Sequence, residues 1–259
     1  MVEPSSALLT DRVALVTGAA VGIGEAVAVT LARFGADLAM CDRDAENLEA
    51  TAKEVEAAGR AALSAVLDVR DGDAVRAFVA SVRERFGGVD VLVNNAGGGF
   101  RAGFLDVSDK GEDALVRENF TSVTTFVRAI VPLMTRGGSI VNLTSIEAHR
   151  AAPGFAVYSA MKAAVASLTK SLALELGDRG IRVNCVAPDV IPTPGIGWME
   201  GATPGTPLGR LGQVDDVAGA VAFLAGDLSS FVTGATIHVD GGNWAAGGWH
   251  RLSDGSFGT

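Results

Sequence analysis

Tyr158 is the only tyrosine in the chain, and Lys162 follows it at the spacing i, i+4 in Tyr158-Ser159-Ala160-Met161-Lys162. Residues so spaced share one face of a helix, so a phenol and an ammonium can meet there. Ser145 stands thirteen residues upstream of Tyr158, just past the strand-like run Ser139-Ile140-Val141-Asn142-Leu143-Thr144. A hydroxyl, an acidifiable phenol and a cation that converge on one carbonyl have the groups for proton transfer. A free phenol titrates at about 10, too high for an efficient base at neutral pH. A neighbouring positive charge would lower that value, which is the work expected of Lys162.

A second constellation lies near the amino terminus. Thr17-Gly18-Ala19-Ala20-Val21-Gly22-Ile23-Gly24 follows a strand-like run and leads directly into a helical one. Glycines let a backbone approach a pyrophosphate, and a helix amino terminus offers unpaired N–H groups and a positive dipole end. Glycine-rich loops also serve ordinary turns, but this position between first strand and first helix predicts a dinucleotide site. Asp42 comes eighteen residues past Gly24, after the second strand-like run. A carboxylate there can accept from the ribose hydroxyls and repels a 2′-phosphate, so NAD is expected over NADP. Arg43 pulls the other way, because a guanidinium binds phosphate. Asp68, after the third strand, can accept from the adenine amino group or form a turn.

The elements needed to position these groups are legible as alternating patterns. Strands are expected at 12–17, 37–41, 61–67, 89–93, 139–143, 181–186 and 236–239. Helices are expected at 23–34, 47–58, 74–86, 114–134, 155–176 and 214–224. Near-continuous Val, Leu, Ile and Ala in the strands predicts burial on both faces. Strand–helix alternation predicts a parallel, doubly wound α/β sheet with right-handed crossovers. The chain reads as one catalytic domain over 1–259, with a Gly- and Pro-rich lid loop at 193–207 and a C-terminal tail at 243–259 that carries Trp244 and Trp249.

Composition excludes several functions. At 259 residues and 48% hydrophobic content the chain can bury a large core. A net charge of −9 disfavours nucleic acid and anionic membrane surfaces as partners. The start of the chain lacks the basic and apolar regions of a secretory signal, and the apolar stretch 156–176 is interrupted by Lys162, Lys170 and Glu175. Cys41 and Cys185 are expected as free buried thiols in a reducing cytoplasm. His149, His238 and His250 lack metal-type spacing, so no metal centre is expected.

Taken together, Thr17 to Gly24, Asp68, Asn94-Asn95-Ala96-Gly97, Asn119, Ser145, Tyr158 with Lys162, and the closing Thr233-Gly234-Ala235 to Asp240-Gly241-Gly242 resemble the short-chain dehydrogenase/reductase family of single-domain type. The resemblance covers nearly the whole chain. It implies a Rossmann-like fold with a seven-stranded parallel sheet in the order 3-2-1-4-5-6-7. It implies Tyr158 as general acid/base, its pKa lowered by Lys162 together with the positive charge of a bound nicotinamide, Ser145 as the donor to the substrate oxygen, and Asn119 as the holder of a water that links Lys162 to solvent. The implied cofactor contacts are Gly18, Gly22, Ile23, Gly24, Asp42, Arg43, Asp68, Val69, Asn95, Ala96, Gly97, Tyr158, Lys162, Pro188, Ile191 and Thr193. Ile191 and Thr193 match positions that face the nicotinamide carboxamide.

Two positions depart from the family pattern. Asp189 follows Pro188 where glycine is usual, and it is expected to point away from the cofactor and pair locally. Glu25 directly follows Gly24, where its charge suits the helix dipole but not a nearby pyrophosphate. The borders of the presumed substrate site supply Phe100, Phe104, Ile146, Phe155, Ile196, Trp198 and Met199, with Arg101, Glu147, His149 and Arg150 as polar elements. These predict a hydrophobic or ring-containing secondary alcohol or ketone, in a fairly open site under a mobile lid. A 3-oxoacyl-thioester reductase and a non-catalytic NAD-binding scaffold are the rival expectations. The resemblance also implies a homotetramer, with Ala160, Ala163, Ala164, Ala166 and Ser167 permitting close helix approach.

Overall fold

The computed structural model describes residues 2–194, 206–252 and 254–259. Its elements run β1 Val13–Thr17, α1 Gly22–Arg33, β2 Asp37–Asp42, α2 Ala45–Ala57, β3 Ala62–Val66, α3 Gly72–Phe86 and β4 Val91–Asn94. Then follow α4 Asp109–Val116, α5 Ser122–Ile130, β5 Gly138–Leu143, α6 Ala156–Glu175, β6 Ile181–Pro188, α7 Val214–Ala225 and β7 Thr236–Val239. The tail forms a short helix α8, Asn243–Ala246, and an antiparallel pair β8 His250–Arg251 and β9 Phe257–Gly258. The seven principal strands are all parallel and ordered β3-β2-β1-β4-β5-β6-β7.

Each strand sends successive side chains to opposite faces. Ala14 and Val16 of β1 join one apolar cluster with Val27, Leu31, Leu48, Val217 and Val221 from α1, α2 and α7. Leu15 between them joins another with Phe78, Phe126, Ile130 and Val165 from α3, α5 and α6. Both faces of the sheet are therefore dry, which is why its strands carry few polar residues. Three of those that occur are linked through α6. Asn94 donates to Asn142 (2.8 Å), Asn142 donates to Thr169 (2.8 Å), and Cys185 donates to Thr169 (3.1 Å). This chain ties β4, β5, β6 and α6 together beneath the candidate site.

The helix expected at 114–134 differs in its start and its continuity. It begins at Asp109, where the Ser108 side chain accepts from the Gly111 N–H and caps the first turn. It is interrupted at Arg117–Thr121 by a π-type turn and closes with a 3₁₀ turn at Val131–Leu133 around Pro132. Proline lacks the N–H that a continued α-helix would use. The chain order places the sheet's reversal between β1 and β4, so loops from both halves meet at the strands' carboxyl ends. An open α/β sheet offers its ligand crevice at that point. Among the described residues, no helix is long and apolar enough to cross a membrane.

Candidate active site

A cleft of about 1230 Å³ opens at the carboxyl ends of the strands. One half of it is lined by Gly18, Val21 to Gly24, Asp42, Arg43, Asp68, Val69 and Asn95 to Gly97. The first turn of α1 faces it. Gly18 and Gly22 take φ values of 65° and 66°, a region that side-chain-bearing residues rarely adopt. A Cβ at Gly24 would stand 1.9 Å from the Gly18 carbonyl oxygen, so only glycine allows this contact between loop and helix. Asn95 locks the turn by donating to the carbonyls of Thr17 (3.0 Å) and Gly18 (2.8 Å). Thr17 Oγ1 in turn accepts from the N–H groups of Asn95 and Ala96. The Ile23 and Gly24 amides have no acceptor among the described residues, and they border the cleft. Free amides at a helix amino terminus fit the pyrophosphate of a dinucleotide.

Glu25 is accounted for here. Its carboxylate folds back to accept from the Gly22 N–H at 3.2 Å and does not line the cleft. It caps its own helix. Asp42 borders the cleft and is held by two amides, Ala20 (3.0 Å) and Asp44 (3.1 Å). The cap of α2 is Asp44, which accepts from Asn47, so Asp42 is not a capping residue. Asp68 forms a turn through the Arg70 N–H and pairs side chain to side chain with the Arg70 guanidinium (2.5 Å). That pairing, before any other cause, holds its carboxyl below the usual range.

The other half of the cleft gathers Phe100, Arg101, Ser145 to Glu147, Arg150 to Pro153, Phe155, Tyr158, Lys162 and Pro188 to Val190. Tyr158 and Lys162 share one face of α6, as their spacing predicts. Ser145 stands just past β5 and heads a short 3₁₀ turn, its Oγ accepting from the Glu147 N–H at 3.1 Å. Tyr158 packs edge-to-face against Phe155, with centroids 6.5 Å apart. On its other side runs the loop at Gly99, where a Cβ would come within 3.1 Å of the phenol ring.

Lys162 is 4% exposed and donates to the Leu143 carbonyl at 2.9 Å. Its ammonium lies 5.6 Å from the centroid of the Tyr158 ring. Burial brings its pKa down to about 8, opposed by the negative charge of Glu118. Burial pushes the phenol pKa up, the Ser145 hydroxyl pulls it down and Glu147 pushes it up again.

Asn119 is fully buried inside the π-type turn Arg117–Thr121. Its Oδ1 accepts from the Gly98 N–H at 3.1 Å, and its Nδ2 donates to the Gly98 and Leu115 carbonyls at 2.8 and 3.0 Å. A Cβ at Gly97 would fall 2.7 Å from Asn119 Oδ1 and 3.0 Å from Lys162 Nζ, so both groups reach one spot beside that glycine. Short π-type insertions are frequent at functional sites. Neither composition nor periodicity signals this one.

The remaining expected residues divide. Thr193 borders the cleft and lies against Gly22, where a Cβ would meet its Cγ2 at 2.9 Å. Ile191 does not line the cleft with its side chain. That side chain is 1% exposed and is packed in the core beside Gly212. Phe104 stands 64% exposed away from the main cleft. Ile196, Trp198 and Met199, with most of the expected lid, lie outside the described residues. Asp189, expected to point away and pair locally, instead borders the cleft and accepts from Asn243, 54 residues further on in the tail.

Comparison with known proteins agrees with this geometry. A family profile described as Enoyl-(Acyl carrier protein) reductase matches residues 18–243. A 3-oxoacyl-(acyl-carrier-protein) reductase of Thermotoga maritima is 40% identical over 241 residues, covering 90% of this chain and 98% of the relative. Gluconate 5-dehydrogenase of Gluconobacter oxydans is 39% identical over 251 residues, covering 93% and 98%. Among solved structures, carveol dehydrogenase from Mycobacterium avium in complex with NAD superposes with a TM-score of 0.87 at 32% identity, covering 92% of this chain and 99% of that one. A Mycobacterium paratuberculosis short chain dehydrogenase bound to NAD gives the same TM-score, identity and coverage.

Proposed function

The chain belongs to the short-chain dehydrogenase/reductase family, and on that premise we propose that it interconverts hydrophobic or ring-containing secondary alcohols and their ketones with NAD(H). Membership makes it a nicotinamide-dependent oxidoreductase of CH–OH and keto groups. The finer reading rests on one observation: Ser145, Tyr158 and Lys162 border the same cleft that the glycine turn and Asp42 line at its other end.

When bound, the dinucleotide supplies the hydride acceptor or donor through its nicotinamide ring. The chain's own residues handle the oxygen and its proton. Tyr158 donates its phenolic proton to the carbonyl oxygen during reduction and accepts one from the alcohol during oxidation. Ser145 receives the Glu147 N–H on one lone pair, so its own O–H is left to donate to the substrate oxygen as charge develops. Lys162, anchored on Leu143, brings a positive potential near that oxygen, and it shares with Asn119 Oδ1 the spot beside Gly97 where a water held by Asn119 would link the ammonium to solvent. The raised phenol pKa keeps Tyr158 protonated at neutral pH, ready as an acid for reduction. Oxidation needs the deprotonated phenol and is expected to speed up as pH rises above neutrality.

Asp42 favours NAD, because a 2′-phosphate would face a carboxylate already fixed by two amides. Two structurally similar dehydrogenases, those from Mycobacterium avium and Mycobacterium paratuberculosis, hold NAD, in accord with this. A thioester reductase is the second reading, prompted by the Thermotoga maritima relative. It lacks support at Arg150, whose charge is taken by carboxylates. A tetramer is also part of the proposal, in keeping with Leu174 standing 83% exposed on α6. Two buried free thiols suit a reducing cytoplasm. A panel of secondary alcohols and ketones, followed by NADH absorbance with NADP(H) in parallel, tests the proposal. NAD-linked turnover of uncharged ketones is expected. Turnover with NADPH alone, or only of acyl thioesters, would overturn it.

A further inference from the structure

At the substrate end of the cleft, one cation faces two carboxylates. Arg150 Nη2 lies 3.1 Å from Glu147 Oε1 and 3.5 Å from Asp189 Oδ1. All three side chains border the cleft. Asp189 is 9% exposed at its side chain, and its other carboxylate oxygen accepts from Asn243 Nδ2 at 2.6 Å. Its main-chain N–H is spent on the Val239 carbonyl at 3.1 Å. The carboxylates thus come from the turn after β5 and from the end of β6, and the tail fixes the second. Aromatic contacts brace the arrangement from behind. His149 meets His238 edge-on with centroids 4.8 Å apart, and His238 stacks on Trp244 at 4.5 Å with the planes 2° apart.

We propose that Glu147 and Asp189 determine substrate specificity by outweighing the charge of Arg150, so that this three-residue cluster carries a net charge of one negative unit. This rests on the oxidoreductase reading and narrows its substrate class. A guanidinium recognises carboxylate or phosphate through its charge and its N–H groups, and here the Arg150 Nη2 is already shared by two carboxylates. The surplus negative charge of this cluster repels a second anion placed beside it. Substrates bearing a carboxylate or a phosphate near the reacting carbon are therefore disfavoured, and uncharged alcohols and ketones are admitted. Arg101 on the facing lip contributes the same potential whatever stands at 147 and 189.

Isosteric variants test this without removing packing. Glu147→Gln keeps an oxygen for Arg150, and Asp189→Asn keeps one for the Asn243 amide. The net charge of the cluster rises from −1 to 0 in either variant and to +1 in the double variant. The measured quantity is the ratio of kcat/KM for an anionic ketone to that for its uncharged counterpart, with 4-acetylbenzoate and acetophenone as the pair. Using a ratio cancels any general loss of activity, and thermal melts of all four proteins check folding. The ratio is expected to rise about fivefold for each charge removed, the scale of one partly screened charge nearby, and to shrink in high salt. A flat ratio across the four proteins, or an unmutated protein that prefers 4-acetylbenzoate, would overturn the inference while leaving the oxidoreductase reading intact. Absence of turnover of both ketones in all four would overturn both.

Discussion

Replacing Asn119 by alanine should unfasten the loop that borders the phenol. The side chain makes three hydrogen bonds, two to Gly98 and one to the Leu115 carbonyl. Each contributes about 1 kcal/mol net, and a buried group left unpaired costs about 1–3 kcal/mol. The Leu115 carbonyl is buried, while the Gly98 groups are only partly so and can turn to water. A total near ~3 kcal/mol follows, or a fall in Tm of roughly 6–12 °C for a chain of this size. The same loop carries Gly97 beside Lys162 and Gly99 against the Tyr158 ring, so its release should also reduce kcat by about tenfold or more, on the scale of misplaced catalytic groups. Differential scanning fluorimetry and steady-state kinetics measure the two effects. Asn119→Leu separates causes, because it fills the volume without restoring any bond and should behave like alanine. A Tm within about 2 °C of the parent protein, with kcat unchanged, would refute the assignment of three effective bonds.

Further outcomes follow from the same contacts. Lys162→Met should abolish turnover yet raise stability at pH 7. The buried amine, with its pKa brought down to about 8, carries a folding cost that is full below that value and fades as pH rises toward the ordinary lysine value. Removing it gains about 1–2 kcal/mol after the lost bond to Leu143 is deducted, and the advantage should vanish above about pH 10 in pH-resolved melts. Gly24→Ala should cost about 3 kcal/mol or more and weaken NADH binding by fluorescence titration, because its Cβ meets a backbone oxygen. Gly98→Ala, whose Cβ meets nothing within 4 Å, should barely move the melt. For alcohol oxidation, kcat/KM should climb with pH above 7, since burial raises the phenol pKa; a rate already at its plateau at pH 6 would contradict this.

Much of this arrangement was legible in the sequence because it depends on local pattern. Apolar runs marked all seven strands of the parallel sheet to within a few residues, since burial on both faces leaves little room for polar side chains. The order of motifs along the chain implied the strand order through family resemblance. The spacing of Tyr158 and Lys162 placed them on one helix face. What remained hidden depends on contacts distant in sequence. The π-type turn at Asn119 has no compositional mark, because it is stabilised by the Gly98 loop. Ile191 matches by resemblance a position that faces the nicotinamide carboxamide, and no local pattern shows that its side chain packs in the core beside Gly212. The partner of Asp189 is Asn243, 54 residues away, which no local rule connects.

The central claim is that the Tyr158 phenol exchanges the proton while NAD(H) and the substrate carbon exchange hydride. Its most direct test is Tyr158→Phe, assayed for ketone reduction alongside NADH binding by fluorescence. Retained binding with turnover lowered by about 10²–10⁴ is the predicted result, the range set by removal of a positioned acid. Binding and turnover both near the parent values would contradict it.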